Sequence, residues 1–206
     1  MALDPDILKT TLLTCFKTMT NDTDFSNGIA NACSVFCSTA SISTTDGGTV
    51  PGGGFVGTGT GTGIACVPTL ASAIISAACL LMPTLGDTAD DYLADQLAIG
   101  LHTMVSAGII ITTVTGTLTP PPPATPVTPY GGLASGTISC SYTSLAQGLK
   151  DCFEEMKNPP EGSTKDGDEL FAEKLSELFN DYLTSGTVHT NGQGNILGSI
   201  GSGSVQ

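Results

Sequence analysis

Apolar side chains recur along this chain at helical spacing in three places. Leu8, Leu12, Cys15, Phe16 and Met19 fall at i, i+4, i+7, i+8 and i+11, one face of an α-helix. Leu145, Leu149, Cys152, Phe153 and Met156 repeat that spacing. Cys15-Phe16-Lys17-Thr18-Met19 is echoed directly by Cys152-Phe153-Glu154-Glu155-Met156. Ala71, Ile75, Ala78, Cys79 and Met82 form a weaker middle copy.

Each copy leads through a polar or Pro-containing turn into a second periodic segment. The first is Phe25, Ile29, Ala32, Cys33, Phe36 and Cys37. The second is Leu93, Leu97, Gly100, Leu101, Met104 and Val105, and the third is Phe171, Leu175, Leu178, Phe179, Tyr182 and Leu183. All three run i, i+4, i+7, i+8, i+11, i+12. They end in small residues: Ser38-Thr39-Ala40, Ser106-Ala107-Gly108 and Thr184-Ser185-Gly186. Three such segments in the same order indicate internal repetition.

A Gly/Thr/Ser-rich tail follows each pair. The tails are the Gly52 to Gly63 run, the stretch from Pro120 to Ser139 that contains Gly131-Gly132, and the closing Ile196 to Val205. Their composition predicts extended backbone that can add short strands against a neighbour. Pro120-Pro121-Pro122-Pro123 predicts a stiff polyproline II spacer. A terminal Gly/Ser tail needs something to hold it, which points to a partner in an assembly.

The pattern therefore predicts a mainly α fold: three repeated two-helix hairpins with extended Gly/Thr/Pro-rich arms and short β-strands at most. The repeats are 1–64, 65–140 and 141–206. A lone hairpin leaves apolar surface uncovered, and stacking three units, or assembling copies, covers it.

Charge narrows the partners. There are six Lys, no Arg and 19 acidic residues, a formal net of -13, and no cation stands between Lys17 and Lys150. Nucleic-acid binding needs cations that neutralise phosphates, so DNA and RNA are excluded as partners. Anionic membrane surfaces are disfavoured for the same reason. The sign suits a basic protein surface. Met1-Ala2-Leu3-Asp4-Pro5-Asp6 has no positive n-region, and no signal-peptide hydrophobic stretch follows it. Of two apolar stretches, Leu70 to Leu85 is short and carries Pro83, while Leu97 to Val114 holds His102. The seven cysteines lack a disulfide-framework spacing and read as buried reduced thiols.

Candidate chemistry is weighed against structure at each motif. Gly52, Gly54 and Gly57 satisfy a dinucleotide fingerprint in spacing, but no buried strand precedes them and no helix follows. No lysine lies nearby for a P-loop. Asp22-Thr23-Asp24-Phe25-Ser26-Asn27-Gly28 resembles the start of a calcium loop, yet its glycine comes one position late and Cys33 stands where a bidentate Glu belongs. That segment and Asp166-Gly167-Asp168-Glu169 read as helix N-termini. Cys33 and Cys37 could pinch a metal, but His102 and His189 have no paired ligand at suitable spacing, so core packing is expected. No catalytic residues, cofactor or metal are predicted.

Met1-Ala2-Leu3-Asp4-Pro5, Leu70-Ala71-Ser72-Ala73, Pro121-Pro122-Pro123-Ala124 and Asp181-Tyr182-Leu183-Thr184-Ser185-Gly186-Thr187 resemble small virion proteins of tailed bacteriophages. The likeness is spread along most of the chain and rests on low-complexity signatures. It implies a non-enzymatic structural component of neck, tail, baseplate or capsid surface. Such a protein binds other virion subunits, one with a basic patch, and is multimeric in the assembly. The expected location is the virion, assembled in the host cytoplasm, with neither nucleic acid nor membrane as partner. Two alternatives of other classes are a small membrane-hairpin protein and a secreted or surface adhesin.

Overall fold

The computed structural model describes residues 3–159 and 165–206. Met1 and Ala2 of the N-terminal motif fall outside them. Six helices carry the periodic segments: α1 (Pro5–Phe16), α2 (Asp22–Ser38), α3 (Pro68–Leu81), α4 (Ala89–Ser106), α5 (Thr143–Lys157) and α6 (Gly167–Thr184). Side chains satisfy the orphan N–H groups at three of their starts. Asp4 accepts from the Asp6 N–H at 3.0 Å, Asn21 from the Asp24 N–H at 3.0 Å, and Asp166 from the Glu169 N–H at 2.8 Å.

The apolar faces point inward together. Leu8 and Leu12, Ala71 and Ile75, and Leu145 and Leu149 are buried, as are Ile29, Leu97 and Leu175 on the second helices. Each helix packs on its neighbours in the chain and α1 meets α6, so the six close into a ring. Gly100 lets α4 approach α3, because a Cβ there would stand 3.3 Å from the Ala71 carbonyl oxygen.

The fold is not mainly α, and the tails are not arms. They pair into a closed six-stranded antiparallel barrel, and about 30% of the chain is strand. The strands are β1 (Ser41–Val50), β2 (Gly53–Thr62), β3 (Ile64–Ala65), β4 (Ile109–Thr119), β5 (Val127–Ser139), β6 (Thr187–Gly192) and β7 (Ser199–Val205). Their order is β2-β1-β7-β6-β5-β4, and a β2–β4 pairing closes the circle, with β3 a two-residue flank on β4. The C-terminal tail is held by its own chain, between β1 and β6. The proline run is the exposed tip of the β4–β5 hairpin. There the Ala124 N–H donates to the Pro121 carbonyl at 3.3 Å, closing a turn where polyproline II has no internal hydrogen bonds.

The glycines make this barrel feasible. A barrel of few strands has a narrow interior that side chains must fill, often by alternating large with small. One strand of each hairpin turns Ile42, Ile110 and Val188 inward, and then Thr44, Thr112 and Thr190. Their partners across each hairpin are small: Gly61, Gly136 and Gly203, then Gly59, Ala134 and Gly201. In β2 the glycines Gly57 and Gly59 face in while Thr58 and Thr60 face solvent. The Gly-Thr repetition is thus the alternation of a half-buried strand with glycine in the buried place.

Two apolar clusters result. The larger fills the helix ring and continues into the barrel mouth through Ile42, Ile110, Ile138, Val188 and Val205. The smaller plugs the far end with Val50, Phe55, Val114, Leu118, Ala134 and Ile196.

Candidate functional site

Between the two clusters lies a polar layer. Thr44, Thr112 and Thr190 each sit four residues past Ala40, Gly108 and Gly186, the small residues that end the second helices, so the repeat delivers three hydroxyls to one level of the barrel. Asp46 follows Thr44 on the same face of β1 and is 1% exposed. Thr44 Oγ1 donates to Asp46 Oδ2 at 2.6 Å, and Thr190 Oγ1 donates to Asp46 Oδ1 at 3.1 Å. Thr112 Oγ1 is buried without a partner, and so is Ser199 Oγ on β7. No lysine reaches this level, since all six stand on helices or beside them.

Outside, the barrel is unlike the rest of the molecule. Asp46 and His189 are the only acidic or basic side chains in the seven strands, and Asp46 faces inward. The outer wall is Thr, Ser and Gly, with Val56, Ile109, Ile111, Leu133 and Ile200 each more than half exposed. Register places Thr113 opposite Leu133 and Ile111 opposite Ser135, so the apolar residues of β4 and β5 share one face.

The charge sits on the helices. Each second helix runs into a strand, so the turn joining each pair lies at the pole opposite the barrel. Asp22 and Asp24, Asp90 and Asp91, and Asp168 and Glu169 open α2, α4 and α6 at that pole. They complement the helix dipoles there. Most lysines are engaged between helices: Lys9 with Glu173, Lys150 with Asp95, Lys157 with Asp90 and Lys174 with Glu155. The excess negative charge therefore collects on the helical end.

The residues singled out from the sequence are not brought together. The Gly52 to Gly63 run is the β1–β2 turn and β2 itself. Asp24 is bonded by Thr20 and Asn21 within its helix start, and the Thr20 hydrogen bonds hold its carboxyl below the usual range. Cys33 and Cys37 are fully buried in the core, and desolvation pushes the Cys33 thiol far up. Among the described residues no group of three or more His, Cys, Asp or Glu could hold a metal. His189 is exposed on the wall.

His102 shares a 2.9 Å hydrogen bond with the Tyr182 hydroxyl, and its ring lies tilted against Tyr142 with centroids 5.2 Å apart. Tyr182 and Cys140 line an adjoining cleft of about 440 Å³ with Ser141, Ser144 and Asp181. Burial lowers the His102 pKa, raises the Cys140 thiol to about 11 and lifts the Tyr182 phenol further. Each shift disfavours the charged form, the reverse of what an activated nucleophile needs.

Sequence reasoning missed the polar layer. The signal was present as Thr44-Thr45-Asp46, Thr112-Thr113-Val114 and Thr190-Asn191-Gly192 at one offset from three helix ends. The molecule these features define is an α+β protein, a ring of six helices on a closed six-stranded barrel with a neutral wall and an acidic pole. No family model, curated protein or solved structure matches the chain.

Proposed function

We propose that this chain is a non-enzymatic structural component of a tailed-phage virion, bound between larger subunits. The observation that carries the reading is the segregation of charge. One end presents an uncharged wall studded with exposed Val56, Ile111 and Leu133, while nearly all ionic groups lie at the other. An uncharged wall carrying exposed apolar side chains loses little on desolvation, which suits a contact surface. The acidic pole complements a basic patch on a neighbouring subunit, the charge pairing giving orientation and encounter rate. Strand addition by free arms has no part in it, because the closed barrel offers no long unpaired edge among the described residues. The membrane-hairpin alternative loses its support: no helix of the described residues is long and apolar enough to cross a membrane. Of its two apolar stretches the first is largely α3, packed in the ring, and the second runs from α4 into β4 of the barrel.

Mass spectrometry of density-purified particles of the virus that carries this gene is the test. Peptides of the chain at a fixed ratio to the major capsid subunit, retained after a high-salt wash, are expected. Abundance in the infected lysate combined with absence from purified particles would overturn the reading.

A further inference from the structure

From the polar layer we infer that the barrel holds one desolvated alkali cation, of sodium size, against Asp46 and the threonine ring. The electrostatic argument comes first. Asp46 is 1% exposed and receives two hydroxyl hydrogen bonds, but no cationic side chain reaches it. An ionised carboxylate buried without a counter-charge is strongly disfavoured even after relaxation. A bound monovalent cation cancels the single negative charge of the layer. The field of a chain with net charge -13 favours its capture.

The ligand chemistry agrees. Every polar side-chain atom named in the layer is an oxygen, the donor set that hard cations take. Hydroxyl oxygens keep acceptor lone pairs after donating a proton, so Thr44 and Thr190 can bond Asp46 and still ligate. Thr112 Oγ1 and Ser199 Oγ have no protein partner at all, although both residues are at most 1% exposed. Such orphan groups call for an explanation, an ion or a water among them.

The backbone is shaped to bring these oxygens together. A Cβ on Gly59 would overlap Thr44 Oγ1, stand 2.9 Å from Asp46 Oδ2 and 3.2 Å from Thr112 Oγ1. Those three oxygens, from two hairpins, therefore converge on one glycine. A Cβ on Gly201 would likewise overlap Asp46 Oδ1 and Thr190 Oγ1. Oxygens that crowd within 3.2 Å of one point, the Gly59 Cβ position, suit the smaller alkali ion, and the one negative charge favours a monovalent over a divalent ion.

Thermal unfolding of the purified chain in sodium, potassium and choline chloride at equal ionic strength tests this. A ligand that binds only the folded state stabilises it by RT ln(1 + [L]/Kd). Above half-saturation, each tenfold rise in sodium should lift Tm by about 3–6 °C for a chain of this size. Potassium should act more weakly and choline not at all. Asp46→Asn keeps the shape and should abolish the sodium dependence while folding in choline chloride. Thr112→Val, isosteric and lacking the orphan oxygen, should weaken the sodium response if Asp46→Asn does not fold. Equal Tm in all three salts overturns the inference. So does a sodium response that survives in the variants. An infrared band of a protonated buried carboxyl in wild type, absent from Asp46→Asn, also overturns it.

Discussion

Thr190 on β6 donates its hydroxyl to Asp46 on β1 at 3.1 Å, across β7 and from 144 positions away in the chain. This bond joins the first hairpin to the third inside the barrel. Thr112, at the same level on the second hairpin, makes no such bond. Three residues of one type at one level thus have unequal energetic roles, set by the single carboxylate.

That inequality is measurable. Thr190→Val removes a donor and leaves a buried carboxylate underbonded, which costs about 1–3 kcal/mol. Thr112→Val removes a hydroxyl without a protein partner, so its cost should lie near zero in choline chloride, where no small cation competes. Urea unfolding of both variants in that salt gives the comparison. Equal destabilisation would mean that the Thr190 bond contributes nothing beyond side-chain packing.

Gly59 is where barrel closure and the polar layer meet. Gly59→Ala drives a methyl onto Thr44 Oγ1 and close to Asp46 Oδ2, and the surrounding strands leave little room to yield. A loss of about 1–3 kcal/mol is expected, the usual range for overpacking. Gly54→Ala in the same strand meets only the Thr119 carbonyl oxygen at 4.0 Å and is the control. Matching Tm values for the two variants would show that the barrel can expand at Gly59. The corresponding position on β5 is Ala134, so the added methyl is specifically intolerable beside the carboxylate.

The helices were legible in the sequence and the barrel was not, for one physical reason. Helical faces advertise themselves through large apolar residues, and Leu8, Ile75, Leu97, Leu149 and Leu175 are buried where their spacing placed them. In β2 and β7 the buried positions are largely glycine, so alternation has no hydrophobic amplitude to register. Gly-Thr-Gly-Thr reads as a flexible tail until closure of a narrow barrel explains why the inward residue has no side chain. Asp46 was hidden by the same effect: an acid among Thr and Gly looks like a turn, and only the pairing of β1 with β7 turns it inward.

Glu173 on α6 ties the ring shut, accepting from Lys9 of α1 at 2.6 Å and from Lys165 at 2.5 Å. Those hydrogen bonds, Lys165 first, hold its carboxyl down to about 2. The folded state thus binds this proton less readily than the unfolded chain. The contribution is complete above the usual carboxylate range and is lost as pH falls through it towards 2. Glu173→Gln should cost about 0.5–1 kcal/mol at neutral pH, as expected for partly exposed pairs. Urea midpoints of wild type and variant should converge as pH drops from about 5 towards 2. A constant gap across that interval would remove ionisation as the source.

The outer wall separates folding from assembly. Ile111 and Leu133 are each more than half exposed on neighbouring strands, so Ile111→Lys with Leu133→Lys removes no core contact. The double variant should unfold within about 0.5 kcal/mol of wild type, the usual range for surface changes. In a virion interface the same two charges would be buried without partners, at several kcal/mol. The variant chain should therefore fold normally yet be missing from particles assembled in cells that express it in place of wild type. Charge reversal at the helical pole, Asp91→Lys with Asp168→Lys, which spares the Lys157–Asp90 pair, should reduce incorporation in a salt-dependent way, because those contacts are long-range and screened. Particles that incorporate the wall variant at wild-type level would move the interface away from the barrel and leave the acidic pole to carry it.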